Sequence, residues 1–393
     1  MANRTLIFPA GMPRSLAFLE RAQAEGQWVI GSSSLGYDPV RERYPQWVHL
    51  PYITASNFDQ ALRQAIHDFN IDGIFTPNPV VWDYLNRCIN PSFPGVTLVN
   101  ASPVASEVEP FHKALRFGKF ILENPLELAA VRTPQPSVSA LEISAIFHHA
   151  DTIPGMCDHE KIRALCELVR YCPSGDVVEI GSWWGKSAFV LARLAICYNI
   201  GKLLCVDPWS NAHLVQNDAK GLVDSVPVDA DEALTVFQIN LLPYGRGAVN
   251  YLRQPSVDAA ALYRQNPVVS TATFGDTRYA GRIAILHVDG NHSYGSAHSD
   301  VVAWADLVTP GGWIVIDDYI WPYGDGPQRV GDEFLAANLT NIHCAFVMGS
   351  ALFIQVLDNP QNLTPASPND AAVNPFNPPA DVGHSHQTGR CRG

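Results

Sequence analysis

The second half of the chain holds four apolar, strand-like segments that each end in a glycine or a carboxylate, and this pattern constrains the fold more than any other feature. Residues 177–180 (VVEI) run into Gly181, a tight turn, Gly185 and then an apolar helix to residue 195. Residues 202–210 (KLLCVDPWS) read as a strand ending at Asp207. Residues 283–294 (IAILHVDGNHSY) read as a strand ending at Asp289, and residues 311–319 (GGWIVIDDY) as one ending at Asp317 and Asp318. Short apolar runs alternating with helical periodicity predict a doubly wound α/β sheet covered on both faces. In such a sheet ligands bind at the carboxyl ends of the strands, where these polar residues fall.

Each segment suggests a chemistry. Glycine lets backbone pass close to a ligand, and a helix start offers free N–H groups to polar ligand atoms. Asp207 follows Gly181 by 26 residues, near the offset of about 20 at which an acid meets ribose hydroxyls. If the strands ending at Asp289 and at Asp317–Asp318 are neighbours, their acids converge. Converging carboxylates repel unless a cation or protons intervene, and oxygen ligands suit Mg²⁺, Mn²⁺ or Ca²⁺. His292, three residues beyond Asp289, is placed as a general base. For any one of these residues, a turn or helix-capping role is the competing reading.

Residues 1–105 repeat the rhythm. Strands are expected at residues 5–9, 28–30, 47–50, 71–76 and 96–99. A helix is expected over residues 14–25, ending at Gly26, and another after a Ser56 cap, with Phe58, Leu62, Ile66 and Phe69 at helical spacing. This predicts a Rossmann-like N-terminal domain. Residues 106–150 read as a helical connector that is at least partly packed, residues 151–357 as the second domain and residues 358–393 as a disordered tail. His384, His386 and Cys391 in that tail are read as solvated rather than metal-binding. A chain of 393 residues is long enough for two cores. Its net charge of −12, from 26 basic and 38 acidic residues, argues against nucleic acid as a partner. No apolar run approaches the roughly 20 residues of a membrane span. The eight cysteines lack a CxxC pair and suit a reduced, cytoplasmic protein.

The motifs EIGSWWGKS, VDPW, VDGNHSY and PGGWIVIDDY resemble those of class I S-adenosylmethionine-dependent methyltransferases over about residues 153–356. The resemblance is to the metal-dependent branch of macrocin O-methyltransferases and cephalosporin hydroxylase-like proteins. It implies that Glu179, Gly181, Ser182, Gly185 and Ser187 surround the methionine part of the cofactor, Asp207 the ribose and Ser256 the adenine side. It implies Mg²⁺ on Asp289, Asp317 and Asp318, with His292 as base. The implied activity is O-methylation of a small molecule, sugar or glycoside. A hydroxylase-like relative and a non-catalytic binding module are the rival readings, and a homo-oligomer is compatible with the sequence. Residues 262–282 depart from the family pattern and are expected to contribute a lid over the acceptor. The N-terminal domain resembles the Rossmann-like domain that precedes ATP-grasp folds, through LIFPAG, VIGSSS and IDGIFTPN.

Overall fold

The structure is a computed structural model describing residues 4–216, 218, 220–358 and 363. The tail residues His384, His386 and Cys391 lie outside the described residues. Two compact units divide the chain, Met1–Lys113 and Ala114–Gly393.

In the first unit the chain runs β1 (Arg4–Ile7), α1 (Pro13–Ala24), β2 (Trp28–Ser33), β3 (Trp47–His49), α2 (Phe58–Phe69), β4 (Gly73–Phe75), α3 (Pro79–Ser92) and β5 (Thr97–Leu98). The strands form one parallel sheet in the order β3-β2-β1-β4-β5. Gly26, just past α1, has φ +68°, as a left-handed helix end requires. α2 begins at Asn57 without a side-chain cap, so the expected Ser56 cap is one residue early and unused.

The second unit opens with the end of α4 (Pro103–Glu123), α5 (Ala140–Thr152) and α6 (His159–Leu168). Ile121, Ile143, Ile146 and Ala150 of these helices are buried in its core, so the expected connector is largely core structure. There follow β6 (Asp176–Ile180), α7 (Lys186–Cys197), β7 (Leu203–Val206), α8 (Ala230–Leu241), β8 (Val249–Leu252) and α9 (Ser256–Gln265). The chain then makes a hairpin, β9 (Val268–Thr271) and β10 (Gly275–Arg278), and continues through β11 (Ile283–Val288), α10 (Tyr294–Trp304), β12 (Val308–Ile316), α11 (Gly326–Ala337), β13 (Ile342–Met348) and β14 (Ala351–Val356). The seven-stranded order is β13-β14-β12-β11-β6-β7-β8, with β14 antiparallel to both its neighbours.

Alternation along the strands feeds two cores. Val177, Leu203, Cys205 and Ile285 pack on one face, and Val178, Ile180, Leu204, Val206 and Leu286 on the other. Each such fully buried aliphatic side chain stabilises the sheet by about 1.5–3 kcal/mol. From β6 the chain winds outward to β7 and β8, then returns to build β11 and β12 on the opposite side. That reversal leaves a crevice at the carboxyl end of β6.

The β9–β10 hairpin lies elsewhere. Asn250 of β8 donates to the carbonyls of Val269 and Gly275 at 3.0 and 2.8 Å. Tyr263 Oη and the N–H groups of Ala280 and Gly281 converge on Asp176 Oδ2 at 2.6, 2.6 and 3.0 Å, at the amino end of β6. Residues 262–282 therefore brace the far edge and bottom of the sheet, which corrects the expectation of a lid. No described helix is long and apolar enough to cross a membrane.

Candidate active site

The glycine turn is built by close chain approach. Gly181 follows β6 with φ +82°, and a Cβ there would lie 1.9 Å from the carbonyl oxygen of Asp289. Gly185, with φ +88°, is the N-cap of α7 and abuts Leu241 and Phe237 of α8. Both glycines are thus demanded by neighbouring chain, before any ligand is considered. Ser182 and Ser187 are buried at the turn and in the first turn of α7.

Asp207 is buried at the end of β7. Its Oδ1 accepts the N–H of Trp209 at 2.7 Å and its Oδ2 that of Trp183 at 3.0 Å. Burial raises its pKa, against the pull of these backbone donors. The carboxylate fastens the glycine turn to the strand beside it. Ser256, the first residue of α9, accepts from Trp304 Nε1 at 2.9 Å. Next to it, Gln254 Nε2 is buried without a hydrogen-bond partner, as is Oε2 of Glu179 inside β6. These two orphaned polar atoms and the free N–H groups at the start of α7 fit a ligand with amino and adenine-like polar groups.

The acids sit where parallel register carries them. Val288 of β11 pairs with Ile316 of β12 and with Ile180 of β6, which sets Asp289 and Asp317 side by side beyond the strand ends. Asp318 has φ +49°, so the chain turns between the two adjacent aspartates and parts their side chains. Asp317 points inward and is 3% exposed. It forms an ion pair with Lys161 of α6, itself 1% exposed. Lys161 Nζ is also 3.8 Å from Asp289 Oδ2. His287 links this inner group to Glu179, with Nε2 3.8 Å from Asp317 and Nδ1 3.2 Å from Glu179 Oε1. Asp318 points outward, 3.0 Å from His292 Nε2, which also lies 3.9 Å from Asp289 Oδ1. The ring of Trp321 stands edge-on to His292, centroids 4.5 Å apart.

Electrostatics follow from this division. Burial, joined by the charge of Asp317, pushes the Asp289 carboxyl up to about 7. Burial would also raise Asp317, but Lys161 beside it holds its carboxyl well below the usual range. Burial opposes the charge of Lys161, yet Asp317 keeps the ammonium well above its ordinary pKa. Burial likewise opposes charging of His292, and its hydrogen bonds to Asp289 and Asp318 overcome it, raising the imidazole to about 9.

The three aspartates expected to share one ion do not meet at one point. Two donor groups converge instead, His287–Asp289–Asp317 and Asp289–His292–Asp318. The inner group already contains the Lys161 ammonium, and in the outer one His292 Nε2 already stands against Asp318. The expected three-aspartate set therefore does not fit a divalent cation. Lys161 and His287 are the site residues that the sequence reading missed.

A loop closes over the crevice. Asn291 Nδ2 donates to the Val215 carbonyl at 2.7 Å, and the N–H of His292 to Gln216 Oε1 at 2.8 Å. The segment after β7 thereby bridges across the end of β6 to the loop after β11.

The strand order, with one reversed strand near an edge and the functional groups at the parallel carboxyl ends, defines a class I methyltransferase fold. Residues 178–319 match the family model described as a methyltransferase domain. Three solved structures are similar to part of this chain. The O-methyltransferase NovP shares 15% identity, over 63% of this chain and 98% of that one, with a TM-score of 0.33. CalS11, a TDP-rhamnose 3′-O-methyltransferase of calicheamicin biosynthesis, shares 15% over 65% and 96%, with a TM-score of 0.35. MycE of the mycinamycin pathway, in complex with Mg, SAH and mycinamycin VI, shares 16% over 57% and 54%, with a TM-score of 0.34.

Proposed function

We propose that this protein transfers a methyl group from S-adenosylmethionine to a hydroxyl of a small molecule, sugar or glycoside, with His292 as the base. The observation that carries this reading is the placement of His292, backed by two carboxylates, beside a glycine turn whose neighbouring polar atoms are unpaired. S-adenosylmethionine, when bound, supplies an electrophilic methyl on sulfur. The start of α7 and Glu179 Oε2 would hold the amino-acid end of the cofactor, and Gln254 Nε2 its base. Asp207 would take the ribose hydroxyls, while its bonds to the N–H groups of Trp183 and Trp209 keep the turn in shape.

In its neutral form His292 would take the hydroxyl proton at Nδ1, the ring nitrogen left without a partner, as the acceptor oxygen bonds to the methyl and the methyl–sulfur bond breaks to release S-adenosylhomocysteine. Asp318 and Asp289, on the Nε2 side, stabilise the imidazolium that results. The edge-on Trp321 fixes the ring plane. Holding the two reactants in contact supplies much of the acceleration. A divalent cation on Asp289, Asp317 and Asp318 does not fit.

The test is twofold. Calorimetry should show S-adenosylhomocysteine binding to the purified protein, and methyl-labelled S-adenosylmethionine should label a hydroxylated acceptor from a glycoside panel. Absence of binding at millimolar cofactor would sink the methyltransferase reading. Binding with no transfer across acceptors would favour the ligand-binding alternative.

A further inference from the structure

Lys161 lies outside the stretch that matches the methyltransferase family, yet its ammonium sits at the base of the acid group. A fully buried lysine persists only with a charged partner, because the desolvation cost is several kcal/mol. The structure holds this side chain in place through its backbone. Asp158 caps α6 by accepting the N–H of Lys161 at 2.7 Å. The same carboxylate accepts the N–H of Ser350 at 3.3 Å, and Ser350 Oγ donates to Asp317 Oδ1 at 3.3 Å. The start of α6, the β13–β14 turn and Asp317 are therefore joined through one residue pair.

A divalent ion on Asp317 Oδ2 would sit about 2 Å from that oxygen, against an ammonium already bonded to it. Two cations bonded to the same carboxylate oxygen repel strongly in a buried site. The remaining acids are matched without an ion, since Asp318 faces His292 and Asp289 lies between His292 and Lys161.

We infer that Lys161 is the resident cation of this site, a positioning residue that neutralises Asp317, braces Asp289 toward His292 and makes the transfer independent of bound metal. The inference rests on the methyl-transfer reading, because it assigns the charge balance of that site.

The experiment replaces the ammonium with an apolar group of similar length, Lys161→Met, in the full chain, and titrates Mn²⁺ with detection by electron paramagnetic resonance. The parent should show no equimolar Mn²⁺ site. Its S-adenosylhomocysteine affinity should be unchanged by exhaustive chelation. Lys161→Met should gain Mn²⁺ affinity by at least about tenfold, a gain of at least about 1.4 kcal/mol, and be stabilised against heat by Mn²⁺. Adding Asp317→Asn to that variant should abolish the gain. A purely structural lysine would produce no such gain, so a folded Lys161→Met that binds Mn²⁺ no better than the parent overturns the inference. Should that variant not fold, the parent decides alone. A tight equimolar Mn²⁺ site there that Asp317→Asn removes overturns the inference, and no such site supports it. Failure to bind S-adenosylhomocysteine would instead strike the functional reading and leave the metal result interpretable.

Discussion

His292 Nε2 stands 3.0 Å from Asp318 Oδ2, at the rim of the crevice and with Asp289 on its other side. A base held this way is oriented and its conjugate acid is stabilised. His292→Ala should leave S-adenosylhomocysteine affinity nearly unchanged and slow turnover by about 10² to 10⁴, the usual range for loss of a general base. Single-turnover kinetics alongside calorimetry separate the two quantities. Parental turnover in the variant would remove His292 from the mechanism.

Asp207 serves the fold before it serves a ligand. Its two backbone bonds join the glycine turn to the loop after β7. Asp207→Ala leaves two donors to find new partners, at about 1–3 kcal/mol for each one left buried and unsatisfied. Urea unfolding should therefore show a loss of about 2–6 kcal/mol, together with weaker cofactor binding. Weaker binding at parental stability would mean that the carboxylate acts on the ribose alone.

Gly181 and Gly221 both have positive φ, +82° and +61°, but they meet different surroundings. A Cβ at 181 runs into the Asp289 carbonyl, whereas at 221 nothing lies within 4 Å. Gly221→Ala should cost about 1–2 kcal/mol of backbone strain. Gly181→Ala must also displace the β11–α10 loop that carries Asp289 and His292, so it should melt at a clearly lower temperature and lose cofactor binding. Equal melting temperatures for the two variants would contradict this account.

The four central strands β6, β7, β11 and β12 of the second unit were legible because parallel strands buried on both faces leave uninterrupted apolar runs, and the run ends located Asp207, Asp289, Asp317 and Asp318. The partners of those acids were not legible. Lys161 reads as one polar residue of an amphipathic helix, although it stands in line with Leu165 and Leu168, both buried. That position on the apolar stripe was the available signal. His287 and Glu179 are charged residues inside apolar strands, and only the β6–β11 register sets them opposite each other. The backbone reversal at Asp318 was not readable either, because an aspartate adopts positive φ only under constraint from its surroundings. Periodicity also could not tell a lid from a brace at residues 262–282, since both are polar hairpins with a few apolar anchors.

Asp300 gives the clearest pH-linked expectation. It lies on α10, 7% exposed, and a Cβ on Gly290 would come within 2.8 Å of its Oδ2. Burial pushes its carboxyl up to about 7, although a hydrogen bond from Ser256 pulls the other way. In the unfolded chain an aspartate titrates near 3.9. Between about pH 4 and pH 7 the folded state therefore keeps a proton that the unfolded state has lost, so the contribution of this group to stability falls as pH rises. Above about pH 7 both states are ionised and the loss levels off, at no more than about 4 kcal/mol for a shift of about three units. Asp300→Asn keeps the shape of the protonated form and removes the titration. Its stability should match the parent near pH 4 and exceed it by a margin that widens up to about pH 8, measured by urea unfolding at each pH. A difference between variant and parent that stays flat across that range would show that Asp300 has the same proton affinity folded and unfolded, and that its burial is compensated by contacts other than Ser256.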